Sequence, residues 1–162
     1  MQCFKIIFAI DSFFLLFQRI MVKYITREVT EEMNFIDHAI SEITNGEDFV
    51  QAMADIYEYP EVRGELEKYS LWIKNIITII DYDTELGMDG LDLKSYADVV
   101  TVLDEIGLIE EAEVLRDYNN DISEENAEKC YERLAINNEY DAFWDKVYVY
   151  ANKNISDNKD RL

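Results

Sequence analysis

The fold of this chain turns on residues Ile76–Tyr118, IITIIDYDTELGMDGLDLKSYADVVTVLDEIGLIEEAEVLRDY. The run opens on the apolar end of a helix, Ile76, Ile77, Ile79 and Ile80, and breaks into an acidic, glycine-bearing turn. Beyond the turn Tyr96, Val99, Val100, Leu103 and Ile106 recur at three and four, the spacing of one buried helical face. Between Asp81 and Glu113 eleven acidic residues stand against a single basic one, Lys94. The stretch offers dense negative charge on a helical frame.

Toward the N-terminus the apolar face continues through Leu66, Tyr69, Trp72 and Ile73, so a long helix ending near Ile80 is the expected centre of the core. Pro60 starts a short turn before it. A helix from Glu47 to about Tyr57 buries Phe49, Val50, Met53 and Ile56. Thr30 caps a still earlier helix carrying Met33, Ile36, Ala39, Ile40 and Ile43. Asn45-Gly46 is expected to end that helix, with glycine supplying the left-handed terminus.

On the other side Ser95–Ile106 reads as a helix stopped by Gly107, and Ile109–Tyr118 as a shorter one using Ala112 and Leu115. Ser123 caps the next, whose core face is Ala127, Cys130, Tyr131 and Leu134. Asn137-Asn138 separates it from Glu139–Asn152, which is expected to bury Tyr140, Phe143, Trp144, Val147 and Tyr148. No alternating strand pattern, linker or repeat interrupts the series. The fold class is all-α: a compact single-domain bundle of about seven helices over residues 21–155, with a frayed polar tail at 156–162.

Residues 1–20, MQCFKIIFAIDSFFLLFQRI, differ in character from the rest. Asp11 interrupts the apolar run and no small-residue cleavage site follows it. The run is also shorter than the roughly 20 apolar residues a spanning helix needs. Three readings stay open: a start codon upstream of the true one at Met21, a helix packed on the domain, or an export segment.

A chain of 162 residues that is 49% hydrophobic and 13% aromatic is not a disordered acidic tail. Its 35 acids against 15 bases leave a net charge of −20. Seventeen of the acids and only three bases fall between Asp81 and Glu132, whereas the stretch from Glu139 onward is nearly neutral. Direct nucleic-acid binding is excluded as an expectation, because holding phosphates requires clustered Lys and Arg. A basic protein or a cation is the guest that such charge favours.

Catalytic chemistry finds few components. His38 is the only histidine and reads as a partly exposed helix residue without a nucleophile on its face other than Ser41. Cys3 and Cys130 make no disulfide framework, and Cys130 reads as a buried thiol. Two cysteines and one histidine serve zinc poorly, and no phosphate-cradling glycine loop occurs. Asp81, Asp83 and Glu85 resemble positions 1, 3 and 5 of a calcium loop, but Leu86 and Asp92 occupy the positions of its required glycine and glutamate. No enzyme activity, cofactor or metal is expected, and calcium binding is the weakest of the alternatives.

The candidate site is the acidic surface itself. Asp81, Asp83, Glu85, Asp89 and Asp92 belong to the turn; Asp98, Glu105, Glu110, Glu111 and Glu113 are expected off the apolar face of the following helices. One helical face presents a carboxylate about every 5.4 Å, while a DNA strand carries a phosphate about every 3.4 Å. Two acidic helices packed about 8–10 Å apart would approach that density. The plain alternative is a solvated helical surface.

The segments IIDYDTELGMDGL, VLDEIGLIEEAEVLRDY and NNEYDAFWDKVYVYANKNI, covering roughly Trp72–Ile155, resemble the acidic DNA-mimic protein family of the DMP type. The features that carry the likeness are Glu85, Asp89-Gly90-Leu91, Ile106-Gly107, Ala112 and Asp141–Trp144. The family's Asn-Asn-Gly-Gly-Phe-type motif is replaced here by DTELGMDGL, a departure that bears on a shared ligand more than on a shared fold. The resemblance implies an all-α, often homodimeric bacterial protein that occupies the DNA-binding surface of a transcription factor. The expected function is thus a non-enzymatic, cytoplasmic acidic interaction module whose partner is a basic DNA-binding protein, with no membrane partner. The alternative is an immunity-type inhibitor of a basic toxin.

Overall fold

The computed structural model describes residues 34–159. The chain divides into two compact units, residues 1–38 and 39–162. The N-terminal apolar extension, Cys3, Met21, Thr30 and Met33 lie outside the described residues. Asn34 caps the first described helix, α1 (Phe35–Glu42), its Oδ1 accepting the Ile36 and Asp37 N–H groups at 3.0 and 3.1 Å.

The described part of the second unit is all-α. α2 (Gly46–Met53) leads through a 3-10 turn into the short α3 (Pro60–Arg63), then α4 (Leu71–Asp89), α5 (Ala97–Ile106), α6 (Ile109–Asn120), α7 (Glu124–Tyr131) and α8 (Tyr140–Lys159). Eight helices and no strand occur among the described residues, and no described helix is long and apolar enough to cross a membrane. The expected bundle of about seven helices is this one.

α4 is the central element. Ile73, Ile76, Ile77 and Ile79 are each at most 2% exposed, and the helix touches α2, α5 and α8. It does not end near Ile80. The residues expected to form an acidic turn, Asp81–Asp89, continue it for two and a half more turns' worth of sequence. The true terminator is Gly90, whose φ of 76° needs a residue without a Cβ.

Asn45-Gly46 also plays a different part from the one expected. Asn45 is the N-cap of α2, accepting the Asp48 N–H at 2.9 Å, and Gly46 is the first residue of that helix. A Cβ at Gly46 would lie 2.2 Å from the Tyr148 carbonyl oxygen and 2.9 Å from the Asn152 nitrogen. The glycine is required because α2 lies directly against the backbone of α8. Its N–H donates to Asn152 Oδ1 at 2.7 Å.

The α5–α6 hairpin closes at Gly107, where φ is 90°. The Leu108 N–H reaches the Leu103 carbonyl at 2.8 Å and the Gly107 N–H reaches Asp104 at 3.2 Å, the paired bonds of a Schellman terminus. Ser123 caps α7 as its sequence context indicates, its Oγ accepting the Asn126 N–H at 3.3 Å. Cys130 is a buried thiol with no disulfide. On α8 the buried stripe is Phe143, Val147, Ala151 and Ile155, so Tyr140, Trp144 and Tyr148 are only partly covered or exposed. α8 runs to Lys159, and the expected frayed tail is helical over its first four residues, 156–159.

Candidate partner-binding surface

The acids of the central stretch fall into two classes according to what holds them. Five carboxylates each accept a hydrogen bond from a tyrosine hydroxyl. Tyr57 donates to Asp81 at 2.7 Å, Tyr82 to Glu111 at 2.8 Å, Tyr140 to Asp83 at 2.9 Å and Tyr150 to Glu105 at 3.1 Å; Tyr96 donates to Glu85. These pairs join elements far apart in sequence, α4 to α6 and α8 above all. A phenol satisfies a carboxylate oxygen and leaves the negative charge in place.

Glu111 is the extreme case and corrects an expectation. It does not sit off the apolar face: it is 6% exposed, and its second oxygen accepts the Ala135 N–H at 2.9 Å. Desolvation pushes its carboxyl above the usual range, against the opposing effect of those two donors. Burial likewise raises the Asp83 carboxyl. Burial next to the Glu111 carboxylate raises the Tyr82 phenol well beyond its ordinary value, so it stays a donor. Burial also raises the Tyr150 phenol to about 12.

Asp81 is further paired with Arg63, and Glu85 with Lys94. Asp81, Asp83 and Glu85 do not converge as calcium ligands. Successive alternate residues on a helix point about 200° apart, and the three carboxylates go to Tyr57, Tyr140 and Tyr96 respectively. Among the described residues no group of three or more His, Cys, Asp or Glu side chains gathers as a metal site.

The second class is exposed. Asp89, Asp98, Glu110 and Glu113 face solvent and form no ion pair with a described residue. Asp92 is exposed as well, 3.9 Å from Lys94. Asp98 and Glu105 lie two turns apart on one side of α5, and Glu110, Glu113 and Asp117 share one side of α6. The hairpin packs α5 against α6, and Arg116 on α6 pairs with Asp104 on α5. Arg133 pairs with Asp117 at 3.0 Å. α7 extends the acidic surface with Glu124, Glu125 and Glu128, all exposed.

Besides Glu111, the signal missed in the sequence is the tyrosines. Eleven occur in the chain, and five of them, Tyr57, Tyr82, Tyr96, Tyr140 and Tyr150, donate to acids. Tyr96 and Tyr118 additionally hold the connector between α4 and α5. Tyr96 Oη accepts the Asp92 N–H at 2.9 Å, Tyr118 donates to the Asp92 carbonyl at 2.6 Å, and Asn119 Oδ1 accepts the Tyr96 N–H at 2.8 Å.

Comparison with known proteins adds no relative: no family model, curated protein or solved structure matches the chain.

Proposed function

We propose that this chain is a non-enzymatic acidic interaction module that presents a DNA-like array of carboxylates to the basic surface of a nucleic-acid-binding protein. The observation that carries the reading is the division of labour among the acids. Asp83, Glu105 and Glu111 are held by neutral phenols and Asp81 and Glu85 by a phenol together with a cation, while Asp89, Asp98, Glu110 and Glu113 stand exposed without an ion pair to a described residue. Exposed acids spread over α5, α6 and α7 lose most by self-repulsion and gain most from a cationic partner. A cytoplasmic location goes with this reading, since a DNA-binding partner would be met there in a bacterial cell.

The test is affinity capture from the source cells at low ionic strength, with elution by rising salt. The bait is the wild-type chain or the Asp98→Asn, Glu110→Gln, Glu113→Gln variant. The reading expects a basic protein in the wild-type eluate, depleted from the variant's, whose binding to DNA the wild-type chain blocks in a mobility-shift assay. A captured nuclease whose cleavage is blocked instead assigns the chain as an immunity-type inhibitor. Identical eluates from bait and variant would remove this surface from the function.

A further inference from the structure

We propose that the cleft between the C-terminal turn of α4 and helix α7 is a docking site for a basic segment of a partner protein, one that inserts an apolar side chain flanked by Lys or Arg. The inference rests on the acidic-module reading and names the contact by which the module selects among basic partners.

The cleft has a volume of about 340 Å³ and an apolar floor of Leu86, Leu91, Ala127 and Tyr131. Asp89 and Glu128 stand on its rim, and no Lys or Arg among the described residues lines it. Met88 also lines it and is 76% exposed, the most exposed large apolar side chain among the described residues. Leu93, on the connector that follows, is 59% exposed.

Slack in the chain does not account for these exposures. The Asp92 and Tyr96 backbone groups are held by Tyr96, Tyr118 and Asn119, and the Tyr131 hydroxyl donates to the Leu86 carbonyl at 3.3 Å. The apolar groups are therefore displayed on a fixed backbone, which lowers the entropy lost when a partner covers them.

Gly87 supplies an independent observation. It lies inside α4 without a positive φ, and a Cβ built on it would meet nothing within 4 Å. Glycine weakens a helix relative to alanine, and neither turn geometry nor close packing requires one here. Gly87 lines the cleft, and its lack of a side chain leaves that wall unobstructed.

The charge selects the occupant. An uncharged apolar ligand would desolvate Asp89 and Glu128 without compensation, and a phosphate or acidic peptide would be repelled. A second copy of this chain carries the same net charge of −20 and the same rim. A segment with cations on either side of an apolar residue satisfies both rim and floor, the pattern of an amphipathic peptide seated in a groove.

The experiment uses the full chain and two fluorescein-labelled decapeptides of equal lysine content, one with leucine and the other with serine at the two central positions. Anisotropy titrations are run at low and at physiological ionic strength. Burial of one leucine predicts about tenfold tighter binding of the leucine peptide, with the ratio maintained as salt weakens both. Gly87→Leu, which fills the cleft from a position where helix formation is favoured, should abolish that ratio and leave the serine peptide's affinity unchanged. Met88→Ser, at an exposed position, should reduce the ratio. Circular dichroism confirms that both variants are folded. Equal affinities for the two peptides, or a ratio that survives Gly87→Leu, would overturn the cleft proposal and leave the acidic-module reading standing. Failure of both peptides to bind at low ionic strength would overturn both.

Discussion

Replacement of Gly46 by alanine tests the closest approach in the fold. The added Cβ would sit 2.2 Å from a backbone carbonyl oxygen on α8, where ordinary contact begins at 3.4 Å. Neither Tyr148 O nor Asn152 N can rotate away, because both belong to a helix, so α2 must retreat by about 1 Å. Overpacking of this kind costs about 3 kcal/mol at the upper end of its range. Loss of the 2.7 Å bond from the Gly46 N–H to Asn152 removes about 1 kcal/mol more. Alanine's better helix propensity returns up to about 1 kcal/mol. The net loss is about 3 kcal/mol, or a fall in Tm of about 10 °C for a chain of this size. Thermal unfolding followed by circular dichroism at a fixed pH measures it. Gly64→Ala is the control, because its Cβ would meet nothing nearer than 3.4 Å and should leave Tm within about 3 °C of wild type. Equal Tm values for wild type and Gly46→Ala would refute the close α2–α8 packing from which the estimate is built.

Other outcomes follow from the acids. Burial raises the Asp83 carboxyl above its ordinary 3.8, so the folded state binds its proton more tightly than the unfolded chain does. That contribution is complete below 3.8 and is lost as pH rises through the raised folded value, and Glu111 acts in the same direction from an ordinary 4.5. Tm should therefore be higher in mildly acidic buffer than at neutral pH, and Asp83→Asn, which can still accept from Tyr140, should lessen the difference; a wild-type Tm that falls on mild acidification would contradict this. Sub-millimolar calcium should leave helicity and Tm unchanged, because Asp81, Asp83 and Glu85 are dispersed around a helix; a saturable calorimetric signal lost in Asp81→Asn with Asp83→Asn would contradict it. The Asp98→Asn, Glu110→Gln, Glu113→Gln variant should keep its Tm, since relief of repulsion among the exposed acids offsets the first-turn charge lost from α5 and α6. A clear loss of stability would mean that these side chains have structural partners.

Much of the fold is legible because apolar residues on α4, α5 and α6 recur at helical spacing and agree with their burial. The ends of elements are harder to read. Asp81–Asp89 looks like a turn because acids and glycine cluster there, yet nothing in it prevents helix formation; only the positive φ at Gly90 distinguishes the terminator from Gly87. Gly46 follows Asn45 and resembles a helix stop, but the demand for glycine comes from α8, about a hundred residues away in sequence. Glu111 could have been placed correctly. It lies four and seven residues before Leu115 and Tyr118, both wholly buried, and so belongs to their stripe. A carboxylate is seldom assigned to a core stripe, and the donors that permit it, Tyr82 and Ala135, lie on other elements.

The phenol-held carboxylates have a practical consequence. Attraction between full charges fades as ions accumulate around them, whereas a short bond from a neutral hydroxyl is set by contact and changes little. The scaffold and the surface it displays thus respond differently to the same solvent. Under the proposed function, raising ionic strength should detach a cationic guest while the tyrosine latches stay shut, so that the molecule could be stripped and reloaded without passing through an unfolded form.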